Sequence, residues 1–147
     1  MPHFTLTMSP AGPMVDAVVL IAESRRLALV AANLPQPKPV KIRALIDTGA
    51  SHTCIDPSVM KSLALTPRGS TLCNTPTTGS QPVEKDEYDV AFLIPAPDGQ
   101  PLVHTTLAVM EAEFLQHQKF HALIGRDILK GCILTYNGSA GLFMLAY

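Results

Sequence analysis

The sequence predicts an all-β fold, and three observations carry that reading. Thirteen prolines and nine glycines recur through 147 residues, so the chain is broken into short elements with few places for a long unbroken ladder. The apolar stretches are either β-branched, as in Met14 to Ala22, or alternate with polar residues, as in Phe4 to Met8, and both patterns suit strands. No stretch has the length and period of a long helix. Apolar residues make up 47% of the chain, enough for one core, and the length sets the expectation of a single domain over residues 1–147.

Each element can be justified in order. Phe4 to Met8 is a first strand at a sheet edge, and Ser9-Pro10-Ala11-Gly12-Pro13 is a turn. Met14 to Ala22 is the second strand, with Arg25 to Ala31 expected to continue the pairing after a bend at Glu23-Ser24. Three alternating prolines in Asn33 to Pro39 leave an extended loop without ladder donors. Val40 to Ile46 is again a strand. Asp56-Pro57 has the form of an N-cap followed by proline at the first helical position, so Pro57 to Leu63 is expected to make one or two helical turns. Ser70 to Gln81 is small and polar and precedes a strand over Tyr88 to Ile94. Pro95 to Gly99 is a turn, and Leu102 to Met110 a further strand. A short helix over Arg126 to Lys130 leads to a hairpin, Cys132 to Tyr136 and Gly141 to Ala146, around Asn137-Gly138-Ser139-Ala140.

Composition removes several function classes. Eleven basic against twelve acidic side chains give no field for a polyanion, so no nucleic-acid partner is expected. The longest clean apolar run, Ala17 to Ala22, is far short of a membrane span, and Met1 to Ser9 lacks the form of a secretion signal. A soluble, cytoplasmic protein with no membrane partner is the expectation. Cys54, Cys73 and Cys132 are odd in number and lack CxxC spacing, which implies neither a disulfide framework nor a zinc site but half-buried or buried thiols. His117 and His121 have i,i+4 spacing without a helix to make it useful to a metal. No metal or cofactor is expected.

The most informative segment is Ala44 to Ser51, Ala-Leu-Ile-Asp-Thr-Gly-Ala-Ser. It puts one carboxylate, Asp47, at the end of a buried strand, partly desolvated and rigidly held. Gly49 is expected to let the backbone fold back sharply, and Thr48 to anchor the loop through its hydroxyl. Some eighty residues on, in round terms, Ala122 to Leu129 read Ala-Leu-Ile-Gly-Arg-Asp-Ile-Leu, a second apolar strand that ends in glycine and opens a short helix. No other aspartate has an apolar-Asp-Ser/Thr-Gly setting: Asp16, Asp56, Asp86, Asp89 and Asp98 have different neighbours, and Asp127 follows Arg126.

Together these two segments resemble the aspartic proteases, and specifically the single-domain retropepsins; the resemblance is strongest over residues 41–129. It implies a closed β-barrel with a flap hairpin and one short C-terminal helix. It implies that Asp47 is catalytic, that Thr48, Gly49 and Ala50 support its loop, and that Gly125, Arg126 and Asp127 cross behind it. The flap that closes over substrate would carry Thr75, Pro76, Thr77, Thr78 and Gly79 at its tip, ahead of a strand matched here by Tyr88-Asp89-Val90. With one such loop per chain, two facing carboxylates require two chains related by a C2 axis. The resemblance therefore implies a homodimer, without cofactor, that hydrolyses a polypeptide substrate at a water held between two copies of Asp47. The family dimerises partly through its chain termini, and Gly141 to Tyr147 is apolar enough to expect a partner's cover. Two other readings fit the same residues: a catalytically silent barrel used for dimerisation or peptide binding, and a pepsin-like half working with an unrelated chain.

Overall fold

A computed structural model describes residues 1–74, 81–97 and 99–147. Ten strands and three helices occur in them: β1 His3–Thr7, β2 Met14–Ile21, α1 Glu23–Ala31, β3 Val40–Ile46, β4 Cys54–Ile55, α2 Pro57–Ser62, β5 Gly69–Cys73, β6 Val83–Ile94, β7 Leu102–Glu111, β8 Ala122–Ile124, α3 Arg126–Leu129, β9 Ile133–Asn137 and β10 Leu142–Ala146.

Six strands close on themselves in the order β2-β3-β8-β4-β7-β6, with β6 returning to β2. The closure depends on the length of β6. One edge of this strand pairs with β7 from Glu87 to Ile94. The other edge is divided: Val90 to Leu93 pair with β2 and complete the barrel, whereas Val83 to Glu87 pair with β5. The β5–β6 hairpin therefore projects beyond the barrel as an arm. Alternation decides what each strand buries, as in β3, where Ile42, Ala44 and Ile46 point inward between the exposed Lys41 and Arg43.

The strands expected from the sequence are present, with β6 beginning earlier than Tyr88. The exception is residues 25–31, which form α1 rather than a strand. Arg, Leu and Ala dominate that segment and are better helix formers than strand formers. Arg26 grips Glu23 one turn back at 2.6 Å. The helix ends in a Schellman arrangement: Asn33 stands at φ 51°, its N–H donates to the Val30 carbonyl, and the Leu34 N–H donates to the Leu29 carbonyl.

The C-terminal strand also departs from expectation. β10 is not a bare edge awaiting a partner, because it lies between β1 and β9 in a separate three-stranded sheet. Phe143, Leu145 and Ala146 are buried by the chain itself. Phe4, Phe143 and Leu145 join the barrel residues in one apolar cluster, so this sheet seals the barrel. The outer edges of the sheet fall instead to β1 and β9, and β9 exposes Ile133 and Tyr136. Among the described residues no helix is long and apolar enough to cross a membrane.

Candidate active site

Strand β3 runs parallel to β8, and the Asp47 N–H extends that ladder by donating to the Ile124 carbonyl at 3.0 Å. The chain then turns: the Ala50 N–H donates to the Asp47 carbonyl at 3.3 Å. Asp47 is half-buried, and its Oδ1 accepts the Gly49 N–H at 2.8 Å. Its Oδ2 accepts no hydrogen bond from the described residues. Such a carboxylate is oriented but keeps an oxygen for other business.

Gly49 is favoured for space rather than for an unusual backbone, since among the described glycines only Gly12 and Gly141 have positive φ. A Cβ at position 49 would sit 3.1 Å from Asp47 Oδ1, crowding the oxygen that the turn must hold. The Thr48 hydroxyl does not anchor the loop either. It is exposed and makes no hydrogen bond among the described residues. The loop is held by its carbonyls instead: Arg126 Nη1 donates to those of Thr48 and Gly49 at 2.9 and 3.0 Å, and the Arg126 N–H donates to that of Ala50 at 2.9 Å.

The residues on either side of Arg126 complete the brace. A Cβ on Gly125 would lie 2.5 Å from the His52 carbonyl carbon and 2.9 Å from the Thr53 nitrogen, so only glycine permits this approach of two backbones. Asp127 accepts the Thr53 N–H at 2.8 Å and its hydroxyl at 2.7 Å. The Thr53 oxygen accepts in turn the Gly125 N–H at 3.2 Å. Thr53 is fully buried, and the sequence reading did not single it out. A lone threonine four residues beyond a glycine has no local signature, because its partners lie more than seventy positions away.

A cavity of about 450 Å³ opens beside Asp47. Gly49, Ala50, Met110 and Leu123 contribute to its wall, as do Cys54 and Cys73, and among the described residues Asp47 is the only carboxylate on it. Cys73 and Asn74 are the last described residues of β5 and the arm, which therefore reaches the site. The expected flap tip, Thr75, Pro76, Thr77, Thr78 and Gly79, lies outside the described residues. Tyr88-Asp89-Val90 falls within β6 as anticipated.

The thiol and imidazole groups near Asp47 are poorly placed to act as a nucleophile and its base. Burial, reinforced by the neighbouring Cys73, Asp127 and Asp47, pushes the Cys54 thiol up to about 11, so its thiolate is a minor fraction near neutral pH. His52 is exposed, with Nδ1 3.2 Å from the Ser51 hydroxyl. His121 accepts the Arg43 N–H at Nδ1 at 3.2 Å, while His117 lies in a turn after β7. A second concavity, of about 430 Å³, lies by Asp16, Lys41, Arg43 and His121 toward the far end of β3 from Asp47.

Comparison with known proteins agrees with this geometry. Residues 36–128, well over half of the chain, match the model of a family described as aspartyl protease. No curated protein gives a significant match. Among solved structures, a retropepsin-like aspartic protease from Rickettsia conorii is similar over 98% of this chain and 90% of its own, with a TM-score of 0.58 at 13% identity. The Simian Foamy Virus (mac) protease is similar over 80% of this chain and 92% of its own, with a TM-score of 0.47 at 14% identity. A closed β-barrel, an Asp-Thr-Gly turn braced by Gly-Arg-Asp and a family match across both segments lead to one conclusion: the chain belongs to the aspartyl protease family and has the retropepsin-like fold.

Proposed function

We propose that the protein is an endopeptidase in which two chains hydrolyse a peptide bond with a water held between two copies of Asp47. The observation that carries this reading is the state of that carboxylate, which among the described residues is fixed by one N–H, open at its second oxygen, and the only acid on its cavity. One carboxylate cannot serve at once as base toward water and as proton donor toward the scissile carbonyl. A two-fold axis beside the loop supplies the second.

Two carboxyls at hydrogen-bonding distance hold one proton between them, because both cannot ionise cheaply; aspartic proteases are the standard illustration of that effect. The ionised Asp47 takes a proton from water as its oxygen attacks the carbonyl carbon. The protonated Asp47 hydrogen-bonds the developing oxyanion, and a proton then passes to the leaving nitrogen as the C–N bond breaks. Neither metal nor covalent intermediate enters these steps.

The substrate proposed is an extended polypeptide lying between the barrel and the β5–β6 arm. The apolar wall from Met110 and Leu123 supports apolar side chains beside the cut. For the dimer, support comes from β9: it has a free backbone edge, exposes Ile133 and Tyr136, and follows directly on the helix that braces the Asp47 loop.

The test is digestion of a peptide library by the purified protein beside Asp47→Asn, with activity and sedimentation followed over a dilution series. Wild-type cleavage that disappears in the variant and falls per chain on dilution is the expected result. Cleavage by a stable monomer would exclude the paired-carboxylate mechanism. Binding of peptides without cleavage would establish a silent peptide-binding module instead.

A further inference from the structure

Peptide hydrolysis makes no use of the two thiols on the wall of the Asp47 cavity. They come from different parts of the fold. Cys54 opens β4, just beyond the Asp47 loop, where its Sγ donates to the His52 carbonyl at 3.6 Å. Cys73 closes β5, at the point where the arm reaches the site. Both are half-buried, and both line the same 450 Å³ cavity as Asp47. After burial, Cys73 is the largest influence on Cys54. The third cysteine is separate: Cys132 donates to the Ile128 carbonyl at 3.6 Å, beyond α3.

We propose that Cys54 and Cys73 are a redox-sensitive pair that forms a reversible intrachain disulfide across this cavity, tying the β5–β6 arm to β4 and closing the site to an extended peptide. The oxidant is a peroxide. Hydrogen peroxide converts the Cys73 thiol to a sulfenic acid and releases one water. The Cys54 sulfur attacks that sulfur, the S–S bond forms, and the hydroxyl departs with the Cys54 proton as a second water. Two thiols thus lose two protons and two electrons, and the peroxide is reduced to water. The order follows from the surroundings: the Cys54 thiol, pushed up to about 11 by burial, is not the first to be oxidised and serves as the resolving group.

Closure of the site rests on the peptidase reading, whereas the disulfide itself does not, and the two are read separately. Full-length reduced protein is treated with hydrogen peroxide, digested without reductant and mapped by mass spectrometry. The expected product has lost two hydrogen masses, contains a peptide joining Cys54 to Cys73, leaves Cys132 unlinked, and reverts in dithiothreitol; Cys73→Ala does not form it. Amide exchange across residues 69–74 slows on oxidation. Cleavage of a peptide substrate falls about a hundredfold when about nine chains in ten are cross-linked, because a site built from two chains stays open only where both are reduced, and it returns on reduction. A different pairing, or oxidation to sulfinic acid without a disulfide, overturns the proposal. A Cys54–Cys73 link that leaves cleavage and amide exchange unchanged overturns the closing role. If the reduced protein cleaves nothing, the peptidase reading fails, while the linked peptide and the exchange data still decide the disulfide and its grip on the arm.

Discussion

Asp47 and Asp56 are two aspartates nine positions apart, each at the end of a short strand, and their surroundings are opposite. Asp56 is 6% exposed, and its two oxygens accept from four donors. Oδ1 takes the Ser58 N–H at 3.0 Å and the Ser58 hydroxyl at 2.6 Å, while Oδ2 takes the N–H groups of Phe114 and Leu115 at 2.9 and 3.0 Å. Burial alone would raise its carboxyl, yet these donors outweigh burial and hold it at about 2. Asp47 has a single donor among the described residues. The difference teaches what makes a carboxylate structural. One saturated with donors is locked in its ionised form and staples α2 to the loop before β8, whereas one with a spare oxygen keeps a position for a further hydrogen bond.

Exchanging the two aspartates for neutral residues separates these roles. Asp47→Asn keeps the shape of the turn but cannot accept a proton from water, so peptidase activity should fall by about 1,000-fold or more while the urea midpoint moves little. A large stability loss with residual activity would reverse the comparison. Asp56→Ala should do the opposite. Two N–H groups of the 114–115 segment and the cap of α2 lose their acceptor together, at a cost of about 3 kcal/mol in unfolding free energy. Activity per folded molecule should survive.

Acid titration sharpens the same contrast. The folded Asp56 carboxyl, at about 2, lies below its unfolded value of about 4. Its contribution is therefore complete above about pH 4 and is lost as pH falls toward about 2, amounting to about 2 kcal/mol. Urea midpoints measured through that window should fall more steeply for the wild type than for Asp56→Asn. Equal slopes would mean that Asp56 is not the group involved. The smallest effect expected is that of Thr53→Val, which removes one of the donors to Asp127 and leaves the Gly125 N–H without its acceptor. A loss of about 1 kcal/mol is expected. A several-fold drop in kcat with little change in KM would mark a brace that positions the Asp47 loop without touching substrate.

The sequence by itself determined the parts whose physics is local. Alternation in Phe4 to Met8 marks a strand because side-chain direction has period two. Asp56-Pro57 marks the start of α2 because an N-cap bonds within its own turn. Asp47-Thr48-Gly49 and Gly125-Arg126-Asp127 are contiguous motifs, so the candidate carboxylate and the residues behind it were legible as text. Residues 25–31 were misread, since a short run of Leu, Ala and Val suits either period until helix formers and the Asn33 cap decide it.

What the tertiary structure decided are the contacts between distant segments. Arg126 holds the carbonyls of Thr48 and Gly49 rather than the Thr48 hydroxyl anchoring the turn. Thr53 becomes the buried link to Asp127, and β10 is covered by β1 and β9 of its own chain. Cys54 and Cys73 share a wall with Asp47 only because the long β6 strand carries its arm out to the cavity mouth. Such pairings depend on where the barrel closes, which is a property of all six strands at once and leaves no mark in any one of them.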